Sequence, residues 1–202
     1  PPTPLVAYGP APPQYPGLSL PQGIGPFPVA VLVHGGCWTS KFGGITQLRN
    51  MAGALAARGI AVWNVEYRRS DEAGGGYRGT YQDMHPALEL LASQAPTRKL
   101  DLKRMVAVGH SAGGQLVQWM AGRAKIPASS PLYRANPLPV ANVVSLGGLA
   151  DLRNEAALIK SSCGRDTVEL AGTPSRERPD VSVDTNAAGL APNGSRTWLV
   201  TG

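Results

Sequence analysis

The stretch Arg104–Gly122, which reads RMVAVGHSAGGQLVQWMAG, decides the fold. Its first part, Arg104–Gly109, is an apolar run of the kind that forms a buried strand. Its second part, Ala112–Gly122, carries the pattern of a helix, and Ser111 stands between the two among small residues. A buried strand that passes through a tight turn directly into a helix is the basic unit of an α/β protein.

Apolar strands alternate with helices on both sides of this unit. The alternation predicts a three-layer α/β/α sandwich with a mostly parallel sheet covered on both faces. Thr80 or Asp83 is expected to cap the second helix, which would place Pro86 near its first turn. The further predicted elements are strands at Pro28–Val33, Ile60–Glu66, Asn142–Leu146 and Thr197–Thr201, and helices over Ile45–Arg58, from about residue 80, and after Asp151.

Prolines crowd residues 1–26 and exclude a helix there. We therefore expect residues 1–27 to form a Pro-rich lead-in that wraps the core, and residues 28–202 to form one α/β domain. The length of 202 residues, with 43% hydrophobic and 16% charged residues, is typical of a globular chain with a substantial core.

The charge and the cysteines exclude several classes of function. The net charge is +6, but the basic residues are scattered, which argues against a nucleic-acid partner. No apolar run approaches the roughly 18 residues of a membrane span, so we predict a soluble protein, with the cytoplasm slightly favoured over secretion. Cys37 and Cys163 make neither a disulfide framework nor a metal site. Both are expected to be free, with a single bridge as the alternative.

The turn at Gly109–Gly113 has the form GxSxG and lies between a predicted strand and a predicted helix. That context is the one a nucleophile elbow requires. The Ser111 hydroxyl is then expected to point into the crevice, and the Ala112 N–H to face the place where an oxyanion forms. The alternative is an ordinary serine in a Gly-rich turn.

A second motif, His34–Trp38 (HGGCW), follows the first predicted strand. A glycine pair lets the main chain approach a ligand closely, so the N–H groups of Gly36 and Cys37 are candidate oxyanion donors. His34 is predicted to hold the loop in place rather than to act as a base. Trp38 is predicted either to wall the substrate pocket or simply to pack beneath the lead-in.

Together, the segments HGGCW, NVEYRR, GHSAGG, SLGGLADL and AGTP resemble the α/β-hydrolase superfamily, and within it bacterial esterases and kynurenine-formamidase-like members. The resemblance covers about residues 28–202. It implies cleavage of a small-molecule ester or amide, such as a carboxylic ester or an aryl formamide, through an acyl-enzyme on Ser111. It implies no cofactor and no metal.

The sequence departs from the family pattern after the nucleophile. In this fold the acid and the histidine follow the serine, but His34, His85 and His110 all precede Ser111. Since Thr197–Gly202 resembles the strand before the acid loop, we expect both groups beyond Gly202, in a longer hydrolase of which this is a fragment. A natural truncation is the alternative.

Asp151 is a possible alternative acid, although a helix cap is the favoured role. Without a triad, little turnover is expected from residues 1–202 alone. Two other functions stay open: a catalytically inactive α/β-hydrolase used as a binding module, and a serine peptidase of the same fold. The sequence indicates no oligomeric state.

Overall fold

The computed structural model describes residues 7–201 and contains a six-stranded sheet in the order β1-β3-β2-β4-β5-β6. β1 pairs antiparallel with β3, and all other pairs are parallel. The predicted fold class is therefore confirmed. The strands are β1 Pro16–Ser19, β2 Phe27–Val33, β3 Ala61–Val65, β4 Leu100–His110, β5 Asn142–Leu146 and β6 Arg196–Val200, and the helices are α1 Arg49–Ala56, α2 Gly79–Arg98, α3 Ala112–Gly122, α4 Ala156–Cys163 and α5 Val168–Ala171.

The two faces of the sheet are covered by different helices, because side chains alternate along each strand. In β2, Ala30 and Leu32 belong to the core beneath α1. Val29, Val31 and Val33 face the other way, into the larger core that α2 and α3 cover. All the residues of β3 are buried, as expected of a central strand with helices on both sides.

The starts of the first two helices differ from the predictions. A 3₁₀ turn at Gly44–Leu48 precedes α1, so only part of the predicted first helix is α-helical. α2 begins at Gly79, with neither Thr80 nor Asp83 as its cap, and Pro86 lies in the helix interior rather than its first turn. Thr80 and Asp83 do not cap the helix because both side chains bind Arg68 instead.

Arg68 holds Thr80 and Asp83 through main-chain and side-chain contacts. The Thr80 hydroxyl donates to the Arg68 carbonyl at 2.6 Å, and the Asp83 carboxylate accepts from the Arg68 guanidinium at 2.7 Å. These bonds fix the start of α2 to the segment that follows β3.

The described part of the lead-in contacts the core. β1 forms one edge of the sheet, and the Gln14 amide donates to Asp83 at 2.7 Å. The Tyr8 hydroxyl donates to the Glu66 carbonyl at 2.5 Å. Residues 1–6 lie outside the described residues, and the boundary between lead-in and domain stays a prediction.

β6 forms the opposite edge of the sheet and carries a bare apolar surface. Trp198 is 50% exposed, Leu199 63% and Val200 50%. Residues on both faces of the strand are thus in contact with water. None of the helices within residues 7–201 combines the length and the apolar character that a membrane crossing requires.

Candidate active site

Ser111 lies in the sharp turn between β4 and α3, with φ 50° and ψ −115°. A non-glycine residue with positive φ is uncommon, and such strain concentrates at functional sites. The flanking glycines are required by packing. A Cβ on Gly113 would lie 2.0 Å from the Val33 carbonyl oxygen, and one on Gly109 would lie 2.1 Å from the Gly113 carbonyl oxygen.

The loop after β2 passes directly beside this turn. A Cβ on Gly35 would lie 2.7 Å from the His110 carbonyl oxygen and 3.2 Å from the Ser111 Cβ. The Ser111 N–H donates to the Leu146 carbonyl at 2.8 Å, which ties the turn to the end of β5. The structure thus brings the two sequence motifs together at the carboxyl edge of the sheet, where ligands bind in open α/β folds.

The backbone of this loop turns through a run of left-handed residues. φ is 102° at Gly36, 52° at Cys37 and 54° at Trp38. Within residues 7–201, the N–H groups of Gly36, Cys37 and Ala112 have no hydrogen-bond acceptor. Ala112 is the first residue of α3, where the helix dipole adds positive potential. All three predicted donors therefore belong to the two segments that meet at Ser111.

His34 holds the loop in place, in agreement with its predicted structural role. Its Nε2 contacts the Glu66 carboxylate at 2.5 Å, and its Nδ1 lies 2.8 Å from the Gly35 carbonyl oxygen. The Tyr67 ring stacks on the imidazole with centroids 4.4 Å apart, and its hydroxyl donates to the His34 carbonyl at 2.9 Å. With both ring nitrogens engaged, His34 is not placed to act as a base for Ser111.

Glu66 joins this loop to the 3₁₀ turn at Gly44–Leu48 that precedes α1. Its second carboxylate oxygen accepts from the Ile45 N–H at 2.8 Å. Burial by itself raises the pKa of Glu66, but the hydrogen bonds from His34 and Ile45 outweigh burial and hold the pKa below its usual value. Glu66 therefore carries a buried negative charge that fixes two loops.

Trp38 is 2% exposed and packs in the same small core as Ala112, the first residue of α3. Leu152 and Ile159 belong to this core too, and the Trp38 indole N–H contacts Gln115 at 3.4 Å. Among the described residues, this core includes no residue of the lead-in, but residues 1–6 lie outside the described residues, so packing under the lead-in stays a prediction. Its role as a wall of the substrate pocket stays a prediction.

A disulfide joins Cys37 to Cys163, with the two Cα atoms 5.5 Å apart. The expectation that both cysteines are free is therefore wrong, and the alternative of a single bridge is confirmed. The bond links the candidate oxyanion loop to the last residue of α4, across a sequence separation of 126 residues. The sequence allows this bond but does not favour it, because the two residues meet only once the sheet has formed.

Asp151 closes the turn that leads into α4. Its carboxylate accepts from the N–H groups of Arg153 and Asn154, each at 3.1 Å, and from the Asn186 amide at 3.0 Å. These hydrogen bonds, first of all the one from the Asn154 N–H, lower the pKa of Asp151. α4 itself begins later, at Ala156, so Asp151 caps the preceding turn rather than α4.

The other histidines are not hydrogen-bonded to Ser111. His85 is buried and contacts the Leu132 carbonyl at 3.1 Å, and burial together with the charge of Arg123 lowers its pKa to about 4. His110 is exposed. The part of the chain that the structure describes places no hydrogen-bond partner on the Ser111 hydroxyl.

The strand order, the strand–turn–helix at Ser111 and the adjoining HGG loop define an α/β-hydrolase fold. A comparison with protein-family models identifies the family within this fold. The chain belongs to the BD-FAE family, whose model matches residues 18–188. No curated protein sequence matches the chain.

Solved structures share the fold at low sequence identity. A bifunctional GH43-CE protein of Bacteroides eggerthii superimposes with a TM-score of 0.75 at 18% identity, covering 97% of this chain and 29% of that protein. An inhibited esterase B from Lactobacillus rhamnosis gives 0.73 at 20%, covering 98% of this chain and 74% of the other. A truncated carbohydrate esterase from gut microbiota gives 0.71 at 16%, covering 98% and 85%. The chain thus spans less than a third of the first of these proteins.

Proposed function

We propose that the chain carries the nucleophile and the oxyanion hole of a serine hydrolase that cleaves carboxylic esters. The observation that carries the proposal is the position of Ser111, held at positive φ between β4 and α3 with the Gly35 backbone beside it. Membership of the BD-FAE family and the fold shared with esterases support it.

The proposed reaction proceeds through an acyl-enzyme. The Ser111 hydroxyl attacks the ester carbonyl, the N–H groups of Gly36, Cys37 and Ala112 hold the oxyanion, and the alcohol leaves with a proton. Water then attacks the acyl group and releases the acid. Trp38 packs in the same small core as Ala112 and so supports the site. The reaction needs no cofactor.

The base and the acid are proposed to come from polypeptide outside these 202 residues. Acyl transfer requires a group that takes the serine proton and another that orients it. His34 is bound to Glu66, and the Asp151 carboxylate already accepts bonds from three residues. The bare apolar surface of β6 supports the proposal, because an uncovered edge strand invites a further packed element.

The substrate is proposed to be an ester of a small molecule, with an acylated carbohydrate favoured over an aryl formamide. One similar structure is that of a carbohydrate esterase, and another is that of a bifunctional GH43-CE protein. A serine peptidase remains the weaker alternative, since the same elbow can serve amides.

The second candidate is an inactive hydrolase fold that binds a ligand. The observation that favours it is that no histidine within residues 7–201 is hydrogen-bonded to Ser111. Loss of a triad member reduces the rate by several powers of ten.

Hydrolysis by the protein expressed from its complete reading frame separates these functions. Purified protein and its Ser111→Ala variant are assayed on p-nitrophenyl acetate, an acetylated oligosaccharide, an aryl formamide and a peptide anilide. We expect ester hydrolysis that the variant loses, with amide hydrolysis weak or undetectable. Equal ester hydrolysis by both proteins would contradict the proposal, and carbohydrate binding without any hydrolysis would favour the binding module.

A further inference from the structure

Arg123 follows the last residue of α3 and is a buried cation that forms no ion pair with any carboxylate of residues 7–201. Its residue surface is 3% exposed. The guanidinium donates one hydrogen bond, from Nη2 to the Leu138 carbonyl at 2.7 Å. Its Nη1 is buried and has no partner among residues 7–201.

The charge on Arg123 is not neutralised nearby. Among the described residues, Glu89 is the one carboxylate whose charge raises the pKa of Arg123, and Glu89 is itself paired with Arg134 at 2.9 Å. Burial lowers the pKa of Arg123 to about 10, so the side chain stays charged at neutral pH. A buried charge costs several kcal/mol unless it is paired and hydrogen-bonded.

A cavity of about 220 Å³ adjoins Arg123. Its walls come from the end of α3, the Pro137–Ala141 segment and the loop before β6, and include Met120, Val140, Asn193 and Ser195. The Ser195 groups are already bonded, since the hydroxyl donates to the Val140 carbonyl across the cavity wall and the N–H donates to the Asn193 side-chain oxygen. No acidic residue belongs to the described walls of the cavity. The guanidinium therefore supplies the charge of this site.

We propose that this cavity binds a small anion, a carboxylate or a phosphate, on the Arg123 guanidinium. The volume admits an ion of this size, since one water in the liquid occupies about 30 Å³. Arginine suits both classes, because its planar fork donates to two oxygens at once. The site is separate from Ser111: the 11 residues of α3 lie between them, a length of roughly 16 Å.

Thermal unfolding of the 202-residue chain tests the proposal. Unfolding midpoints are measured against acetate and against inorganic phosphate, at constant ionic strength balanced with chloride. A ligand that binds only the folded state raises the midpoint in a saturable way. We expect such a rise with acetate or phosphate, and the stronger of the two identifies the anion class. A midpoint that does not saturate with either anion would overturn the proposal.

Two variants and one control localise the effect. Arg123→Met removes the charge, and Ala141→Phe blocks the exposed mouth of the cavity while leaving Arg123 in place. Both are expected to lose the saturable rise. Arg134→Met is the control: it removes an exposed cation that also lies near Glu89, and this variant should keep the saturable rise of the midpoint. If Arg123→Met and Ala141→Phe both respond like the unchanged chain, the anion binds elsewhere and the proposal fails. If Arg123→Met does not fold, Ala141→Phe alone decides between these results.

Discussion

Ser111 keeps an unfavourable backbone conformation because its neighbours leave it no other. A non-glycine residue at positive φ costs on the order of 1–3 kcal/mol, which the surrounding structure must offset. Here its N–H is bound to Leu146, and Gly113 packs directly on the Val33 carbonyl. The serine is thus held at the crevice by contacts on both sides, which is the condition for a pre-organised nucleophile.

The close approach of Gly35 leads to the first prediction, Gly35→Ala. The added methyl would lie 2.7 Å from the His110 carbonyl oxygen and 3.2 Å from the Ser111 Cβ, so the loop must move. A displacement of this kind is expected to lower kcat/KM for an ester by roughly 10²-fold. The measurement is ester hydrolysis by the complete protein, with circular dichroism to show that it folds.

Gly53→Ala is the matched control for this loss. Gly53 lies in α1, and a Cβ there meets nothing within 4 Å. Alanine in a helix is favoured over glycine by about 0.5–1 kcal/mol, so activity should be unchanged and stability slightly raised. An unchanged kcat/KM in Gly35→Ala would show that the HGG loop does not touch the reaction.

At the scale of elements, the sequence predicted correctly those helices and strands whose bounds depend on their own residues. The bounds of α3 and β5 agree with the sequence prediction, since each is fixed by its own apolar period. The predicted cap of α2 was wrong because Thr80 and Asp83 bind Arg68, a residue on a different segment. The bonding of His34 to Glu66 likewise depends on two loops meeting, so the sequence could suggest a structural role but not the partner.

The disulfide is the element-scale feature with the clearest expected effect. Cys163→Ser releases the loop that holds the candidate oxyanion donors from the end of α4. The loss of a native disulfide typically lowers the free energy of unfolding by about 2–5 kcal/mol. Denaturant unfolding of the chain and of the variant measures this loss.

A reducing agent supplies the control for this prediction. Reduction should lower the stability of the unchanged chain to that of Cys163→Ser and leave the variant unaffected. Equal stability of the oxidised chain and the variant would show that the bond contributes nothing to the folded state.

At the scale of the whole molecule, the two sheet edges differ. β1, at one edge, packs Leu18 into the core, whereas β6 leaves apolar residues in water at the other. An exposed apolar edge strand is a template for pairing with another chain. The disulfide concerns the compartment of the whole protein. Such bonds are typical of oxidising compartments, so this one argues against the predicted preference for the cytoplasm.

The exposed strand predicts self-association of the 202-residue chain. Leu199→Lys places a charge on the apolar part of β6 and should reduce association, as measured by light scattering over a concentration series. Ile24→Lys is the control, since Ile24 is 78% exposed but lies outside the strands. If both changes reduce association equally, or if the chain stays monomeric at all concentrations, then the chains do not associate through β6.

Covalent labelling of the complete protein with a fluorophosphonate, followed by peptide mass spectrometry, tests the role of Ser111 most directly. Phosphonates react with a serine only where the hydroxyl is activated and an oxyanion site receives the product. We predict one adduct, on the peptide that contains Ser111, and none in the Ser111→Ala variant. An adduct on any other residue, or equal labelling of the variant, would contradict the assignment of Ser111 as the nucleophile.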